Sequence, residues 1–233
     1  MVHRLTRRSL LRASLATAAT AALAAPALGQ GKTPINVANA SGTLTLTMQE
    51  LMKQLGFVDQ FGLAANVVNV ADGSRLLGGI VGGDIDLSMM SGFGQLFPAI
   101  DKGAKMKVLS GAAVLPSLAV FTAKPDIRTL KDLEGRTVGT GSLGALLHQL
   151  MVALLRKHNV DAAKVTFANI GSSVDVLRAV AVGTVDAGPG EVSVIEQAEA
   201  FKVRPVANGN MSLELPEYTY QGGWTSDRAI ATK

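Results

Sequence analysis

The stretch LLGGIVGGDIDL, Leu76–Leu87, returns one hundred positions later as VLRAVAVGTVDA, Val176–Ala187. Leu77, Ile80, Gly83, Ile85 and Asp86 correspond to Leu177, Val180, Gly183, Val185 and Asp186. Each copy reads as an apolar-periodic helix stopped by glycine, followed by an apolar–Asp step into a strand. Near the start of each half, Val37 and Ser41 match Val138 and Ser142, one position further apart. Self-similarity on this scale predicts two comparable α/β units in one chain.

The surrounding pattern agrees. From Pro34, β-like runs such as INVANA and AANVVNV alternate with helix-like segments such as LTLTMQELMKQLG. After the polar stretch KPDIRTLKDLEG (Lys124–Gly135) the alternation restarts with RTVGTG, SLGALLHQLMVALLRKHN and KVTFANI. Strands alternating with helices predict parallel sheets covered by helices. Open sheets of that kind take ligands at the carboxyl ends of their strands, so two units facing each other would line a shared cleft.

Four post-strand loops become the candidate site: Asn39–Thr45, Met89–Gln95, Gly139–Ala145 and Gly188–Ser193. Three of them place Ser beside Gly ahead of a helix, at Ser41, Ser91 and Ser142. Glycine admits a ligand close to the backbone, and serine can bind it or cap the helix. Free N–H groups at a helix start favour an anion or a polar carbonyl. None of the four loops contains Lys or Arg, so strong phosphate pairing is not indicated. Glu191 is expected at the start of a helix, where the macrodipole favours a carboxylate; pointing into the cleft, it would oppose an anion and accept an amine or hydroxyl. Phe93 and the single Trp224 are candidates for stacking on a ligand or for the core.

Catalytic constellations are scarce. His148 and His158 fall ten residues apart in one predicted helix and the chain has no Cys. The nucleophile elbow and the P-loop are absent; no metal and no cofactor are expected, and nothing in the sequence requires an enzyme. Gly139, Gly141 and Gly144 do spell G-x-G-x-x-G, which raises an NAD(P)-dependent enzyme as a rival. That fingerprint needs an acid at the end of the second strand. Asp161 has the spacing but precedes KVTFANI, and the residues after that strand are Gly171, Ser172 and Ser173.

The first 29 residues read as an export signal, with Arg7-Arg8 of the twin-arginine type, an Ala/Leu/Thr stretch and a small-residue cleavage site. Removing Arg4, Arg7, Arg8 and Arg12 from 22 basic residues leaves 18 against 18 acidic ones. The formal charge of +4 therefore belongs to the precursor, and nucleic-acid binding loses its electrostatic support. Absence of Cys excludes disulfides and a lipid-modified cysteine, leaving a periplasmic protein free in solution as the expectation.

LEGRTVGTGSLGALLHQLMVALLRKHNVDAAKVTFANI with LRAVAVGTVDAG resembles the second lobe of solute-binding proteins of ABC importers, nitrate/sulfonate/taurine type, a branch that includes binders of thiamine-precursor pyrimidines. GDIDLSMMSGFGQLFPAIDKGAKMKVLSGA is similar to the matching part of the first lobe. The resemblance covers most of Ile35–Trp224. It implies an α/β, two-lobed periplasmic binding protein-like (type II) fold, each lobe a mainly parallel sheet flanked by helices. The expected division is a signal peptide at 1–29, lobe 1 at 30–122, lobe 2 at 123–212 and a return to lobe 1 at 213–233. Members of this family continue through further helices, so the C-terminal part of the first lobe is expected to be missing. By carry-over, Ser41, Gly42, Thr43, Ser91, Gly92, Phe93, Ser117, Gly141, Ser142, Leu143, Gly190 and Glu191 face the ligand. The implied partners are a small sulfonate-, nitrate-, taurine- or pyrimidine-like solute, an inner-membrane ABC permease and the export machinery, with no nucleic acid and a monomeric state. A ligand-sensing module for a membrane receptor is the alternative.

Overall fold

A computed structural model describes residues 31–40, 43–70, 73–113 and 115–233, of which Thr33–Lys233 fold as one unit. The expected signal peptide, Ser41 and Gly42 lie outside the described residues. Among the described residues ten strands form two sheets of five. The first contains β1 (Thr33–Ala40), β2 (Leu63–Val70), β3 (Leu87–Gly92), β4 (Met106–Ala113) and β10 (Gln221–Ser226), in the order β2-β1-β3-β10-β4. The second contains β5 (Leu118–Thr122), β6 (Thr137–Thr140), β7 (Thr166–Asn169), β8 (Ala187–Glu191) and β9 (Arg204–Asn210), in the order β7-β6-β8-β5-β9. Six helices matter below: α1 (Thr43–Gln54), α2 (Gly73–Gly82), α3 (Phe93–Asp101), α4 (Leu146–Lys157), α5 (Ser173–Ala181) and α6 (Asp227–Thr232).

The expected α/β architecture is present, but the sheets are mixed rather than mainly parallel. β10 runs antiparallel to both β3 and β4, and β5 antiparallel to β8. In each sheet a strand from elsewhere in the chain is inserted beside the parallel trio. Leu118–Thr122, grouped with the first half on sequence, pairs in the second sheet, so the chain changes sheet between Ala113 and Leu118.

The hundred-residue echo has a physical basis. The Asp86 carboxylate accepts the Asn36 N–H at 2.8 Å, and Asp186 accepts that of Thr137 at 2.9 Å. The carbonyl of Asp86 accepts the Thr225 hydroxyl at 2.6 Å, and that of Asp186 the Thr122 hydroxyl at 2.7 Å. Each aspartate thus ties the first parallel strand of its sheet to the inserted antiparallel one. Gly83 and Gly183 precede them at φ 95° and 78°, a left-handed conformation that ends α2 and α5 at little cost only for glycine.

The Thr137 N–H, then Lys124 (3.3 Å away), hold the Asp186 carboxyl below the usual carboxylate range. A folded pKa below the unfolded value stabilises above roughly pH 4, the ordinary carboxylate range, and is lost as pH falls through the folded pKa. Asp186→Asn is therefore expected to flatten the acid limb of stability. Urea midpoints measured from pH 7 to pH 3 should converge for the two proteins as pH falls; curves that stay parallel would contradict the role.

Burial follows the helices. Leu76 and Ile80 on α2, Phe93 and Leu96 at the start of α3, Ala38 and Trp224 form the core of the first sheet. Leu150, Met151, Leu154 and Leu155 on α4 pack on one side of the second sheet with Leu118 and Val120, and Val176, Leu177 and Val180 on α5 on the other with Phe121. The spacing of these residues places an apolar stripe on each helix. α1 differs: its Leu46, Met48 and Leu51 are exposed, as is Leu55 just after it. No helix among the described residues is long and apolar enough to cross a membrane.

Candidate functional site

The glycine turn Gly139–Ala145 is longer than the sequence pattern suggests. Gly139 lies inside β6, and α4 begins only at Leu146, with Ala145 at its N-cap. Gly144 takes φ 81° and donates its N–H to His148 Nδ1 at 3.1 Å. A left-handed residue at that place postpones the helix, so the turn is not a dinucleotide elbow. Ser142 does not cap α4; its hydroxyl accepts from Asn169 Nδ2 at 3.3 Å across the turn. Gly141 is buried and Leu143 is 71 % exposed. Asp161 caps a turn before β7, at the end opposite to a ribose-binding acid.

Glu191 ends β8 and does not cap the following 3₁₀ turn Val192–Gln197, which replaces the expected α-helix. Its carboxylate instead accepts the Ser173 hydroxyl at 2.8 Å and the Ser117 hydroxyl at 3.5 Å. Ser117 lies where the chain crosses from the first sheet to the second, and Tyr220 where it crosses back. Burial raises the Glu191 carboxyl pKa, against the pull of the two serines. Burial and the nearby Glu191 charge also push the Tyr220 phenol up, against a hydrogen bond with the Ser117 side chain. Glu191, Ser117, Ser173 and Tyr220 therefore form one polar cluster at the double crossover. Gly190 beside them is buried against Leu177 and Phe121.

On the first sheet, Ser91 ends in β3 rather than on a helix cap. Its hydroxyl is 2.7 Å from that of Ser88, and Ser88 bonds Asn39 Oδ1 at 3.3 Å. Asn39 Oδ1 also accepts the N–H groups of Met89 and Met90, but its buried Nδ2 has no partner. Gln95, 8 % exposed in the first turn of α3, has neither amide atom bonded. Buried amides without partners cost stability and call for an explanation such as a ligand. Phe93 is committed elsewhere: it is 6 % exposed, packed in the first core and stacked on Phe97 at 5.3 Å. Trp224 is fully buried there too, donating to the Ser91 carbonyl at 3.4 Å. Gly92 caps α3, and Thr43 opens α1.

The two sheets' helices meet at these loops. Gln149 on α4 donates to the Gly94 carbonyl on α3 at 3.0 Å and accepts the Tyr218 hydroxyl at 3.3 Å. Gly92 sits so close to Leu146 that a Cβ there would fall 2.9 Å from that side chain. The strand ends of one sheet thus face the helix start of the other. Ser117, Ser142 and Glu191 of the predicted set lie on the second-sheet side or its crossover, and Ser91 and Gly92 on the first. Asn39, Gln95, Ser173 and Tyr220 are polar groups of these loops and crossovers outside that set. Asn39 and Gln95 stand at the two ends of loops already singled out, where a primary amide next to Ser-Gly is the available signal. Among the described residues no group of His, Asp and Glu could hold a metal ion.

A family model described as NMT1/THI5 like matches residues 51–213. A comparison with curated proteins finds no match. Among solved structures, the alkanesulfonate-binding protein SsuA from Xanthomonas axonopodis pv. citri, bound to MOPS, is 22 % identical with TM-score 0.67, covering 88 % of this chain and 68 % of that one. A Candida albicans protein with the generic periplasmic binding protein fold is 16 % identical with TM-score 0.65, covering 86 % and 65 %. PhnD1 from Prochlorococcus marinus, in complex with methylphosphonate, is 15 % identical with TM-score 0.66, covering 86 % and 79 %. The chain spans about two thirds of the length of the first two. At these identities the likeness is one of fold, the periplasmic binding protein fold.

Proposed function

The chain belongs to the NMT1/THI5-like family, and from that premise we propose that it is the exported solute-binding component of an ABC importer. It acts without catalysis, as a monomer in the periplasm, after the twin-arginine-type segment 1–29 has directed its export. Each sheet with its helices is one lobe. A small solute enters between the strand-end loops of the two lobes and is handed to an inner-membrane permease. Sulfonate and phosphonate binding by the structural neighbours supports a small polar solute in this position.

The observation that carries the reading is the convergence of unpartnered or neutral-donor polar groups on both sides of one seam. Asn39 brings an unpartnered buried Nδ2, and Gln95 a buried amide with neither atom bonded, from the first sheet and the helix after it. Ser142 and the Glu191 cluster come from the second sheet and the crossovers. Such groups bind a solute by hydrogen bonds and are costly if left empty.

Thermal shift with small solutes and dinucleotides tests the proposal. A bound solute should raise stability by about 2.7 kcal/mol at one hundred times its Kd. Ser142→Ala should weaken that solute by roughly tenfold, the scale of one hydrogen bond lost to a ligand, and leave the unliganded melting temperature unchanged. Stabilisation by NAD(H) or NADP(H) alone would overturn the importer reading in favour of a nucleotide enzyme.

A further inference from the structure

The side chains around Glu191 restrict the chemistry of the solute. Both carboxylate oxygens are held by neutral donors, Ser173 to Oε1 and Ser117 to Oε2. The buried Tyr220 phenol lies close enough to feel the Glu191 charge, which with burial keeps it neutral. Among the described residues Glu191 makes no ion pair with a Lys, Arg or His. Lys124 and Lys157 of the second unit are ion-paired elsewhere, with Asp186 and Glu214, and Lys124 follows the end of β5 opposite to the one that pairs with Glu191. The four strand-end loops contain no basic residue at all.

We infer that the solute presents a cationic or N–H-donating nitrogen to the Glu191 carboxylate, and that the site rejects sulfonate and phosphonate anions. The inference rests on the cleft reading given above and deepens it. A carboxylate held by two serine hydroxyls at a half-buried crossover has lone pairs left for a further donor and no counter-charge among the described residues. An anion brought to within a few ångströms meets like charge in a medium of reduced dielectric. An ammonium or amidinium meets the charge-assisted hydrogen bond that Glu191 lacks. Replacing the acid by an amide removes the charge while retaining the shape.

Unpartnered amides across the seam suit the same solute. Asn39 Nδ2 and Gln95 Nε2 can donate to a carbonyl or ring nitrogen, and Gln95 Oε1 can accept a second N–H. The site therefore offers one charged acceptor and several neutral groups of both kinds, a set suited to polar nitrogenous molecules rather than to tetrahedral oxyanions.

The test uses matched probes on the full chain and on Glu191→Gln: ethylamine, benzamidine and agmatine against ethanesulfonate, methylphosphonate and nitrate, by calorimetry and thermal shift. The nitrogenous probes are expected to bind the wild type and to weaken roughly tenfold or more in Glu191→Gln, the scale of losing a charged partner. The anions are expected not to bind the wild type. Anion binding to the wild type that Glu191→Gln leaves unchanged overturns the inference and leaves the cleft reading standing. Lack of any shift with the nitrogenous probes overturns it as well. Binding of any probe that resists both Glu191→Gln and Ser142→Ala lies outside the seam and overturns the cleft reading itself. Circular dichroism of Glu191→Gln at matched temperature separates lost binding from lost fold, and Glu191→Asp, which keeps the charge, should retain part of the affinity.

Discussion

Trp224→Ala is expected to lower the stability of the chain by about 3–5 kcal/mol, the range for removing a buried tryptophan. The indole is fully buried at the centre of the first core, among Ala38, Leu76, Ile80, Phe93 and Leu96. It also sits on β10, which pairs β3 on one side and β4 on the other. Its removal leaves a cavity where side chains from β1, β4 and β10 meet those of α2 and α3. It also leaves the Ser91 carbonyl without the Nε1 donor, close to the proposed solute seam. Because Trp224 is the only tryptophan, its fluorescence reports unfolding of the wild type but not of the variant. Urea unfolding should therefore be followed by circular dichroism for both. A loss below about 1 kcal/mol, the scale of a surface change, would contradict a central role for this side chain.

The sequence carried the internal repeat down to single atoms. Asp86 and Asp186, found by spacing alone, make equivalent bonds to Asn36 and Thr137 and to Thr225 and Thr122. Local periodicity also placed α2, α4 and α5. What it could not place was the partner of a strand. QGGWTS has two adjacent glycines and no alternation, yet it forms the inserted strand of the first sheet, a position fixed by contacts more than one hundred residues away in sequence. The sheet of β5 was missed for the same reason. Glu191 was expected to start a helix because an acid before VSVIEQ fits the dipole. The backbone there continues as a strand end, and the carboxylate turns to two serines instead. Ser91 and Ser142 were legible as loop residues but not as hydroxyls bonded to Ser88 and Asn169. Asn39 and Gln95 become informative only once burial removes water as a partner.

Gly222→Ala is expected to cost about 3 kcal/mol or more, at or beyond the upper end for overpacking. A Cβ on Gly222 would fall 2.2 Å from the Ser110 carbonyl oxygen and 2.3 Å from Phe93 Cζ. The carbonyl belongs to the neighbouring strand β4 and cannot move without breaking its ladder, so the displacement falls on the phenyl ring. Phe93 is wedged between Gly222, Phe97 and the first core, and it follows directly on Ser91 and Gly92. Shifting it disturbs the strand end that faces Leu146 and Gln149. The variant should therefore lose solute affinity as well as stability. Gly111 is the control: it is the register partner of Gly222 on β4, and a Cβ there meets nothing within 4 Å. Gly111→Ala is expected to change stability by about 0.5 kcal/mol or less, as for a surface substitution. Thermal unfolding of the pair reads the difference directly. Equal losses at Gly111 and Gly222 would mean that strand propensity, rather than the packing of Phe93 against β10, sets the requirement for glycine.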